Sequence, residues 1–368
     1  MDRPRTTPVT TRTSVTAALG AVLAGALTAL PLLPVPSPAL LPAAEAGTAG
    51  GAVVARDVVI AVENTNATPV ACAPDNKSYV LHAQLVGPRD EVLSADIPRM
   101  NVLVHDLATG SWFWHLRRRP AYDYAGKLAA AGETSLVLDR LGYGDSTLPE
   151  GNATCLGAQA DMLHQVVQHL RSGRYRFEGS SRATPAAQHV VVHGHSVGAA
   201  IAQVEAATFD DVDGLVLMSW TDSGASSRAV DEASRQSATC LRGEDYVKTG
   251  ESRKDYRSLL FVTAPAAVQR TALARRDVDP CGDALSLSQM VTTSTLTARD
   301  VEAPVLLLFG GKDALNRDGA AEQQRQAYSS SVAVASRTLR SAGSALPLEK
   351  SAPRTRARVL GWLSQLPG

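Results

Sequence analysis

The stretch Gln188–Phe209, QHVVVHGHSVGAAIAQVEAATF, changes its hydrophobic period in the middle. Its first half holds an apolar, β-branched run, Val190–Val192, which is typical of a buried strand. The sequence Gly194-His195-Ser196-Val197-Gly198 comes next, and small and apolar residues then recur at the spacing of one helical face. The stretch therefore predicts a strand, a sharp turn with Ser196 at its apex, and a helix.

The turn matches the pattern G-x-S-x-G, in which a serine is raised above the end of a sheet and acts as a nucleophile. A side chain at 194 or 198 would collide across so sharp a turn, so both glycines have a steric reason. Two histidines flank the serine, but His195 directly precedes it and is expected to point away, and His193 ends the strand. Ser196 is therefore the candidate nucleophile, and its base is sought elsewhere.

The composition is balanced, with 36 basic and 36 acidic residues among 368 and a hydrophobic fraction of 45%. This balance excludes the basic surface typical of nucleic-acid binding or of attachment to an anionic membrane. The length suits one large α/β domain, which we expect over residues 47–368. Nothing in the composition indicates an oligomeric state.

The N-terminus has the pattern of an export signal. Arginines at 3, 5 and 12 precede an uncharged run from Val15 to Leu41, and Ala44-Glu45-Ala46 follows with small residues at the cleavage spacing. The alternative is a membrane anchor, for which the run is long enough. Five prolines between 31 and 42 argue against a continuous spanning helix. We therefore predict a signal peptide over 1–46, cleavage near Ala46, and a secreted protein without a stable membrane anchor.

Four cysteines are present, Cys72, Cys155, Cys240 and Cys281, and an even number in an exported chain indicates disulfides. Of the three possible pairings, we predict Cys72–Cys155 and Cys240–Cys281. The second bridge would close a polar segment that packs poorly by itself. No C-x-x-C, cysteine–histidine cluster or phosphate-binding glycine loop occurs, so neither a metal site nor a cofactor is expected.

Strand patterns alternate with helical patterns along the rest of the chain, which predicts a mostly parallel sheet with helices on both faces. Strands are expected at Met100–His105, Leu136–Leu138, Val190–Val192, Leu215–Ser219 and Val305–Phe309, and near Val332–Leu339. Residues 47–78 are expected to be irregular, and 79–85 with 91–97 to form an edge hairpin. Residues 221–300, rich in Ser, Arg and Asp, interrupt the alternation and are predicted to be an inserted lid.

From Tyr79 to the C-terminus, the chain resembles the α/β-hydrolase superfamily. The strand and turn around His105 are similar to the family's oxyanion loop. The run from Asp139 to Ser146 matches its D-x-x-G-x-G-x-S turn, Ser196 lies in the elbow, and Asp313 follows a late strand where the family has its triad acid.

The resemblance implies a role for several of these residues. Ser196 would be the nucleophile, and the amides of Leu107 and Val197 would form the oxyanion hole. Asp313 would be the acid that orients the base, with Asp222 as the alternative.

Two positions depart from the family pattern. The oxyanion loop usually begins His-Gly, but here it begins His105-Asp106, and an aspartate charge would oppose a developing oxyanion. The family base lies in a Gly-His that follows the last strand, and this position is Ser344. No histidine follows His195, so a shifted alignment does not restore a base. His115, after an aromatic cluster, is the alternative base.

The sequence leaves three functions open. The first is an exported serine hydrolase that cleaves a small, apolar ester or related acyl compound and is impaired because Ser344 stands where the base is expected. The second is an inactive protein of the same fold that binds a small apolar ligand under the lid. The third is an otherwise intact enzyme whose base was recently replaced, which would explain why Ser196, Asp313 and Glu349 are retained.

The signal-peptide hypothesis predicts that the exported protein begins close to Gly47. Signal peptidases recognise small residues before the cleaved bond, and the first such pattern after the apolar run ends at Ala46. N-terminal sequencing of the protein recovered from the culture medium tests this. Recovery of a mature form that still carries Met1 would contradict it.

Overall fold

The computed structural model describes residues 51–367. The predicted signal peptide and its cleavage site lie outside the described residues. Within the described range, no helix combines the length and the apolar character needed to cross a membrane.

The strands alternate with helices along the chain, as the sequence predicts. In chain order, the strands of residues 51–367 are Val53–Glu63 (β1), Ser78–Pro88 (β2), Asp96–Val104 (β3), Thr134–Leu138 (β4), Arg176–Phe177 (β5), Ala186–His195 (β6), Gly214–Met218 (β7), Tyr246–Val247 (β8), Asp279–Pro280 (β9), Val305–Gly310 (β10) and Val334–Leu339 (β11). The helices are Arg89–Val92 (α1), Tyr124–Ala129 (α2), Leu156–Ser172 (α3), Val197–Phe209 (α4), Ser227–Cys240 (α5), Arg253–Leu260 (α6), Ala266–Ala274 (α7), Cys281–Leu285 (α8), Leu287–Thr297 (α9), Ala320–Ala327 (α10) and Ala352–Leu363 (α11).

Nine strands form one sheet in the order β11-β10-β7-β6-β3-β4-β2-β1-β5. From β11 to β4 every neighbouring pair is parallel, and β2, β1 and β5 extend the sheet with antiparallel pairs. The predicted mostly parallel sheet is therefore confirmed. Because the carboxyl ends of the parallel strands meet at one edge, the turns after β3, β6, β7 and β10 lie close together.

Both faces of the sheet are covered. Successive residues of a strand point to opposite faces, so Val190 and Val192 pack in one hydrophobic core and Val191 packs in the other. The first core includes Leu163 of α3 and Ile201 of α4. The second core includes residues of α2 and α11 on the opposite face. The buried sheet thus forms a rigid support for the turns at its edge.

The expectation of an irregular segment over 47–78 is wrong. Val53–Glu63 forms an eleven-residue strand that pairs antiparallel with β2 along its whole length. Val58, Ile60 and Val62 are buried and alternate with more exposed residues, which is the period-2 pattern of a half-buried strand. The expected hairpin partner at 91–97 is instead the end of helix α1 and the start of β3.

The segment between β7 and β10 contains the five helices α5–α9 and the short antiparallel pair β8–β9. It is more helical than its composition indicates, and serines cap two of its helices. Ser226 accepts a hydrogen bond from the Ala229 amide, and Ser252 forms a capping box with Asp255.

Buried polar contacts attach this segment to the sheet. The Arg140 guanidinium, 2% exposed, lies 2.8 Å from the Asp283 carboxylate of α8, and the Tyr143 hydroxyl donates to the same carboxylate. A second carboxylate, Asp279, accepts a hydrogen bond from the Ala108 amide of the turn after β3. Removing one partner of a buried ion pair leaves an uncompensated charge, so these contacts fix the segment against the turn.

Two disulfides are present, and they are the pairs that the sequence predicts. Cys72 bonds to Cys155, with a Cα–Cα distance of 6.3 Å, and joins the segment after β1 to the start of α3. Cys240 bonds to Cys281 across 5.4 Å and joins the end of α5 to α8. The second bridge lies wholly within the segment between β7 and β10.

Replacing Cys240 and Cys281 together by serine should lower the stability of the segment between β7 and β10. The bridge closes a sequence separation of 41 residues, for which loop entropy predicts about 3–4 kcal/mol. We expect the thermal midpoint to fall by about 5 °C, together with faster proteolysis within 221–300. Calorimetry and limited proteolysis measure the two effects, and non-reducing peptide mapping of the parent chain is the control. Free thiols or crossed bridges in that map would refute the pairing.

Candidate active site

The turn between β6 and α4 has the geometry that its sequence predicts. Ser196 adopts φ 50° and ψ −118°, a backbone conformation that costs energy and is found at strained functional turns. A Cβ on Gly194 would lie 2.3 Å from the Ala199 Cα, and one on Gly198 would lie 2.5 Å from the Val104 carbonyl oxygen. Both glycines are therefore required by close backbone packing.

Asp106 lies against the Val197 amide, which is one of the two predicted oxyanion donors. The Val197 N–H donates to Asp106 Oδ1 across 3.0 Å, and Asp106 is 5% exposed. Burial raises the pKa of Asp106, while nearby His195 and the Val197 amide oppose this rise. A carboxylate thus occupies the donor that an oxyanion would need.

The turn that carries Asp106 and Leu107 is held from several directions. Asp139, at the start of the D-x-x-G-x-G-x-S turn, accepts hydrogen bonds from the Ser111 amide and hydroxyl. Ala108 has a positive φ of 53°, and its carbonyl accepts a hydrogen bond from the Tyr256 hydroxyl of α6. Burial raises the pKa of Asp279, which binds the Ala108 amide, to about 7. The turn is therefore positioned both by the sheet and by the segment above it.

Ser344, at the position of the expected base, lies beside the residue that precedes the nucleophile. Its Oγ lies 3.3 Å from His195 Nε2, and its carbonyl oxygen lies 3.1 Å from the same nitrogen. The Ser219 hydroxyl also donates to this carbonyl across 2.8 Å. Glu349 holds the loop by accepting hydrogen bonds from the Gly343 amide and from two amides after α6.

His195 itself is buried and points away from the cavity. Its ring stacks on Phe113 with 4.5 Å between centroids, and burial lowers its pKa. A carbonyl oxygen only accepts hydrogen bonds, so Nε2 carries the hydrogen that Ser344 receives. The other nitrogen, Nδ1, has no hydrogen-bond partner and lies 3.9 Å from Asp106 Oδ2.

The structure brings Asp313 close to Ser344 through Ser219. The Asp313 carboxylate accepts hydrogen bonds from the Leu315 amide and from the Asn316 side chain, at 2.9 and 3.0 Å. The same Asn316 amide group donates to the Ser219 carbonyl. Burial raises the pKa of Asp313 to about 6, and its hydrogen bonds from the Leu315 amide and the Asn316 side chain oppose this rise.

The carboxylate of Asp222, the alternative acid, accepts hydrogen bonds from other side chains. Gln203, Trp220 and Gln324 donate to its two oxygens at distances from 2.7 to 3.2 Å. These neutral donors fix the carboxylate at the turn after β7.

His115, the alternative base, has both ring nitrogens engaged. Nδ1 lies 2.8 Å from Asp123, and Nε2 accepts a hydrogen bond from Arg117. His115 is not among the residues that line the cavity above Ser196.

A cavity of about 510 Å³ opens above Ser196. Its floor includes Asp106, Leu107, Ser196 and Val197, and helices α5, α6 and α9 contribute apolar residues such as Val230, Leu259 and Leu287 to its roof. No histidine is among the lining residues in the described part of the chain. The site therefore combines a raised serine and an apolar chamber with no imidazole in contact with it.

Sequence analysis missed the contacts that the segment 221–300 makes with two turns. One is the turn after β3 that carries Asp106 and Leu107, called the oxyanion turn below, and the other follows β4. Three polar residues of this segment are buried, although its composition indicates a polar surface: Tyr256, Asp279 and Asp283. Their contacts with Ala108 and Tyr143 join residues more than 130 positions apart along the chain, so no local pattern indicates them. The hydrogen bond from the Val197 amide to Asp106 was also missed. The signal for it was the aspartate at 106, where the family usually has a glycine.

Solved structures share this architecture. An esterase from Thermogutta terrifontis is 18% identical, with a TM-score of 0.57, and the match covers 83% of this chain and 98% of that one. An esterase from Exiguobacterium antarcticum is 14% identical, with a TM-score of 0.57 and coverages of 78% and 96%. A monoacylglycerol lipase from Paleococcus ferrophilus is 18% identical, with a TM-score of 0.54 and coverages of 77% and 98%. At these identities, the likeness shows the fold alone.

A search of curated protein sequences found no significant match. The model of the alpha/beta hydrolase family matches residues 102–358, which include the oxyanion turn, the elbow, Asp313 and Ser344. With its nine-stranded sheet and its strained serine turn, the chain belongs to the alpha/beta hydrolase family.

Proposed function

We propose that this protein is an exported serine hydrolase, acting on small apolar esters or related acyl compounds, and that it is impaired as written. The observation that carries the proposal is Ser196, held in a strained conformation at the floor of an apolar cavity. Strain at such a turn persists only when the surrounding structure enforces it, and here two glycine contacts do so.

The chemistry that the site supports is acyl transfer. The Ser196 oxygen would attack the acyl carbon, and its proton would pass to a base. The developing negative charge would move to the former carbonyl oxygen, beside the Val197 and Leu107 amides. Collapse of this intermediate would return a proton to the leaving alcohol, and water would then release the acid by the same steps.

Two features weaken this reaction, one at the proton transfer and one at the oxyanion. Ser344 stands where the family has its base, and a serine hydroxyl does not accept a proton near neutral pH. The Val197 amide is already bonded to Asp106, whose carboxylate would also repel an oxyanion. In this proposal, Ser196 would still be the nucleophile and Asp313 the acid that orients a base.

The hydrogen bond between the Val197 amide and Asp106 also favours a second candidate function. An inactive member of the family could use the same cavity to bind a small apolar ligand, since such a role needs the chamber and not the oxyanion hole. Covalent labelling distinguishes the two, because a fluorophosphonate probe modifies only a nucleophilic serine.

Replacing Ser344 by histidine should raise kcat toward short p-nitrophenyl esters by about 10²–10⁴-fold, the usual contribution of a general base. In the proposed triad, an imidazole at 344 would lie between Ser196 and Asp313. Weak turnover by the parent chain is consistent with the proposal, because the oxyanion hole and binding alone retain some catalysis. Ser196→Ala in either background should abolish turnover and probe labelling.

The controls for this series separate a triad from a local change in packing. Asp313→Asn on the Ser344→His background should remove much of the gain, whereas Asp222→Asn should leave it. Ser344→Ala is the matched control without an imidazole, and circular dichroism verifies folding. Full esterase rates in the parent, unchanged by Ser344→His, would instead require a base outside this position. Absence of labelling in every variant would favour the ligand-binding function.

Replacing Asp106 by glycine on the Ser344→His background should raise kcat further, because it frees the Val197 amide and removes an opposing charge. Loss of one oxyanion donor commonly costs about 10²–10³-fold, so a gain of up to about 10²-fold is expected. Asp106→Asn keeps the shape without the charge and should give a smaller gain. Steady-state kinetics with p-nitrophenyl acetate measure both. A fall in kcat with either substitution would show that Asp106 assists the reaction.

A further inference from the structure

A second cluster of polar side chains lies on the α3–α4 side of the sheet, away from the cavity. It consists of His164 on α3, Glu205 on α4 and Asp211 in the turn before β7. Each offers one potential ligand atom, and these atoms all lie within 4.8 Å of one another. The packing of α3 against α4 thus brings one imidazole and two carboxylates close together.

Glu205 is the unusual member of the cluster. It is 0% exposed, and neither carboxylate oxygen has a hydrogen-bond partner within residues 51–367. The second carboxylate, Asp211, also has a buried oxygen, Oδ1, without a partner. Burying a carboxylate without compensation is unfavourable, and placing a second carboxylate beside it adds repulsion.

The positive groups nearby do not compensate Glu205 directly. Arg171 donates to the Asp211 backbone carbonyl, and its Nη2 lies 2.7 Å from the Asp213 carboxylate. The His164 ring contacts Asp211, with 2.8 Å between Nδ1 and Oδ2. The buried oxygens of Glu205 therefore lie beside the potential ligand atoms of His164 and Asp211 without a hydrogen bond.

We propose that His164, Glu205 and Asp211 bind a divalent metal ion, with zinc as the best match. An imidazole and two carboxylates form the mixed nitrogen and oxygen donor set that zinc accepts, whereas calcium and magnesium prefer oxygen ligands alone. Water would complete the fourth position of a tetrahedral zinc ion. The ion would supply the positive charge that the two carboxylates lack.

The surroundings of the cluster are suited to holding its ligands. The Gln168 side chain donates to Asp211 Oδ2 across 2.6 Å, and the His164 ring stacks on Phe209 with 3.9 Å between centroids. Such outer contacts orient metal-binding side chains. An ion here would join α3 to the C-terminal end of α4, the helix that begins directly after Ser196. Its predicted role is to stabilise α4, the helix that supports Ser196.

The test is zinc binding by the purified full chain after removal of metals with a chelator. We expect one zinc ion per chain by elemental analysis after dialysis. We also expect the thermal midpoint to rise by about 4 °C at a free zinc concentration a hundredfold above Kd. Calcium and magnesium at the same concentrations should give smaller shifts. Failure of the stripped chain to bind zinc would overturn the proposal, even if Ser196 proved to be a nucleophile.

Variants assign the binding to these residues. Glu205→Gln preserves shape and removes the charge, and it should abolish both the bound zinc and the thermal shift. His164→Gln, at a partly exposed position, should do the same. It provides a second test if the buried substitution at Glu205 prevents folding. His189→Gln is the matched control, because His189 pairs with Asp213 outside the cluster, and it should retain zinc.

The main competing explanation is that Glu205 and Asp211 share a proton. In that case Glu205→Gln would raise the thermal midpoint of the metal-free chain, and zinc would have no effect on the parent. That pair of results would overturn the metal site. Undiminished zinc binding by Glu205→Gln would overturn it as well, because the ion would then be held elsewhere.

Discussion

The close approach of two backbones at Gly198 determines the rest of the site. With no side chain at this position, the start of α4 reaches the end of β3, and the amide of Val197 comes to lie beside Asp106 and Leu107. A Cβ there would lie 2.5 Å from the Val104 carbonyl oxygen and would push the helix and the turn apart. Ser196 and the Val197 amide are therefore placed by one steric constraint.

The same turn is held from above by the segment between β7 and β10. Asp279 and Tyr256 bind the amide and the carbonyl of Ala108, and Asp283 is paired with Arg140 at the base of the segment. Buried ionic and polar contacts of this kind require accurate geometry and are costly to break singly. Buried polar contacts thus join the segment above the cavity to the turn after β3.

Buried carboxylates determine the electrostatics of the cavity floor. The cavity floor carries the buried carboxylate of Asp106 against the Val197 amide, and burial raises the pKa of Asp106 and Asp313. A complete triad would place an imidazole near Asp313 and leave the Val197 amide free. In this chain the imidazole nearest to Ser344 belongs to His195, which packs against Phe113 beneath the turn.

The sequence by itself determined the features that depend on local period and local sterics. Strand β6, its glycine turn and helix α4 follow from a change of hydrophobic period, and the parallel sheet follows from the alternation of such segments. Strand β1 carried the same kind of signal in Val58, Ile60 and Val62, but the charged residues around it obscured the pattern. Cysteine count and the polar character of 221–300 were likewise sufficient to propose the pairs that the structure contains.

Only the tertiary structure decided what each buried polar group contacts. The Asp106 carboxylate meets an amide 91 positions away, Asp222 is filled by donors from α4 and α10, and the unpartnered oxygens of Glu205 face His164 and Asp211. Such contacts depend on how helices and strands pack around two cores, and side-chain period carries no information about them. Whether a carboxylate is an acid, an obstruction or a metal ligand is therefore set by its neighbours in space.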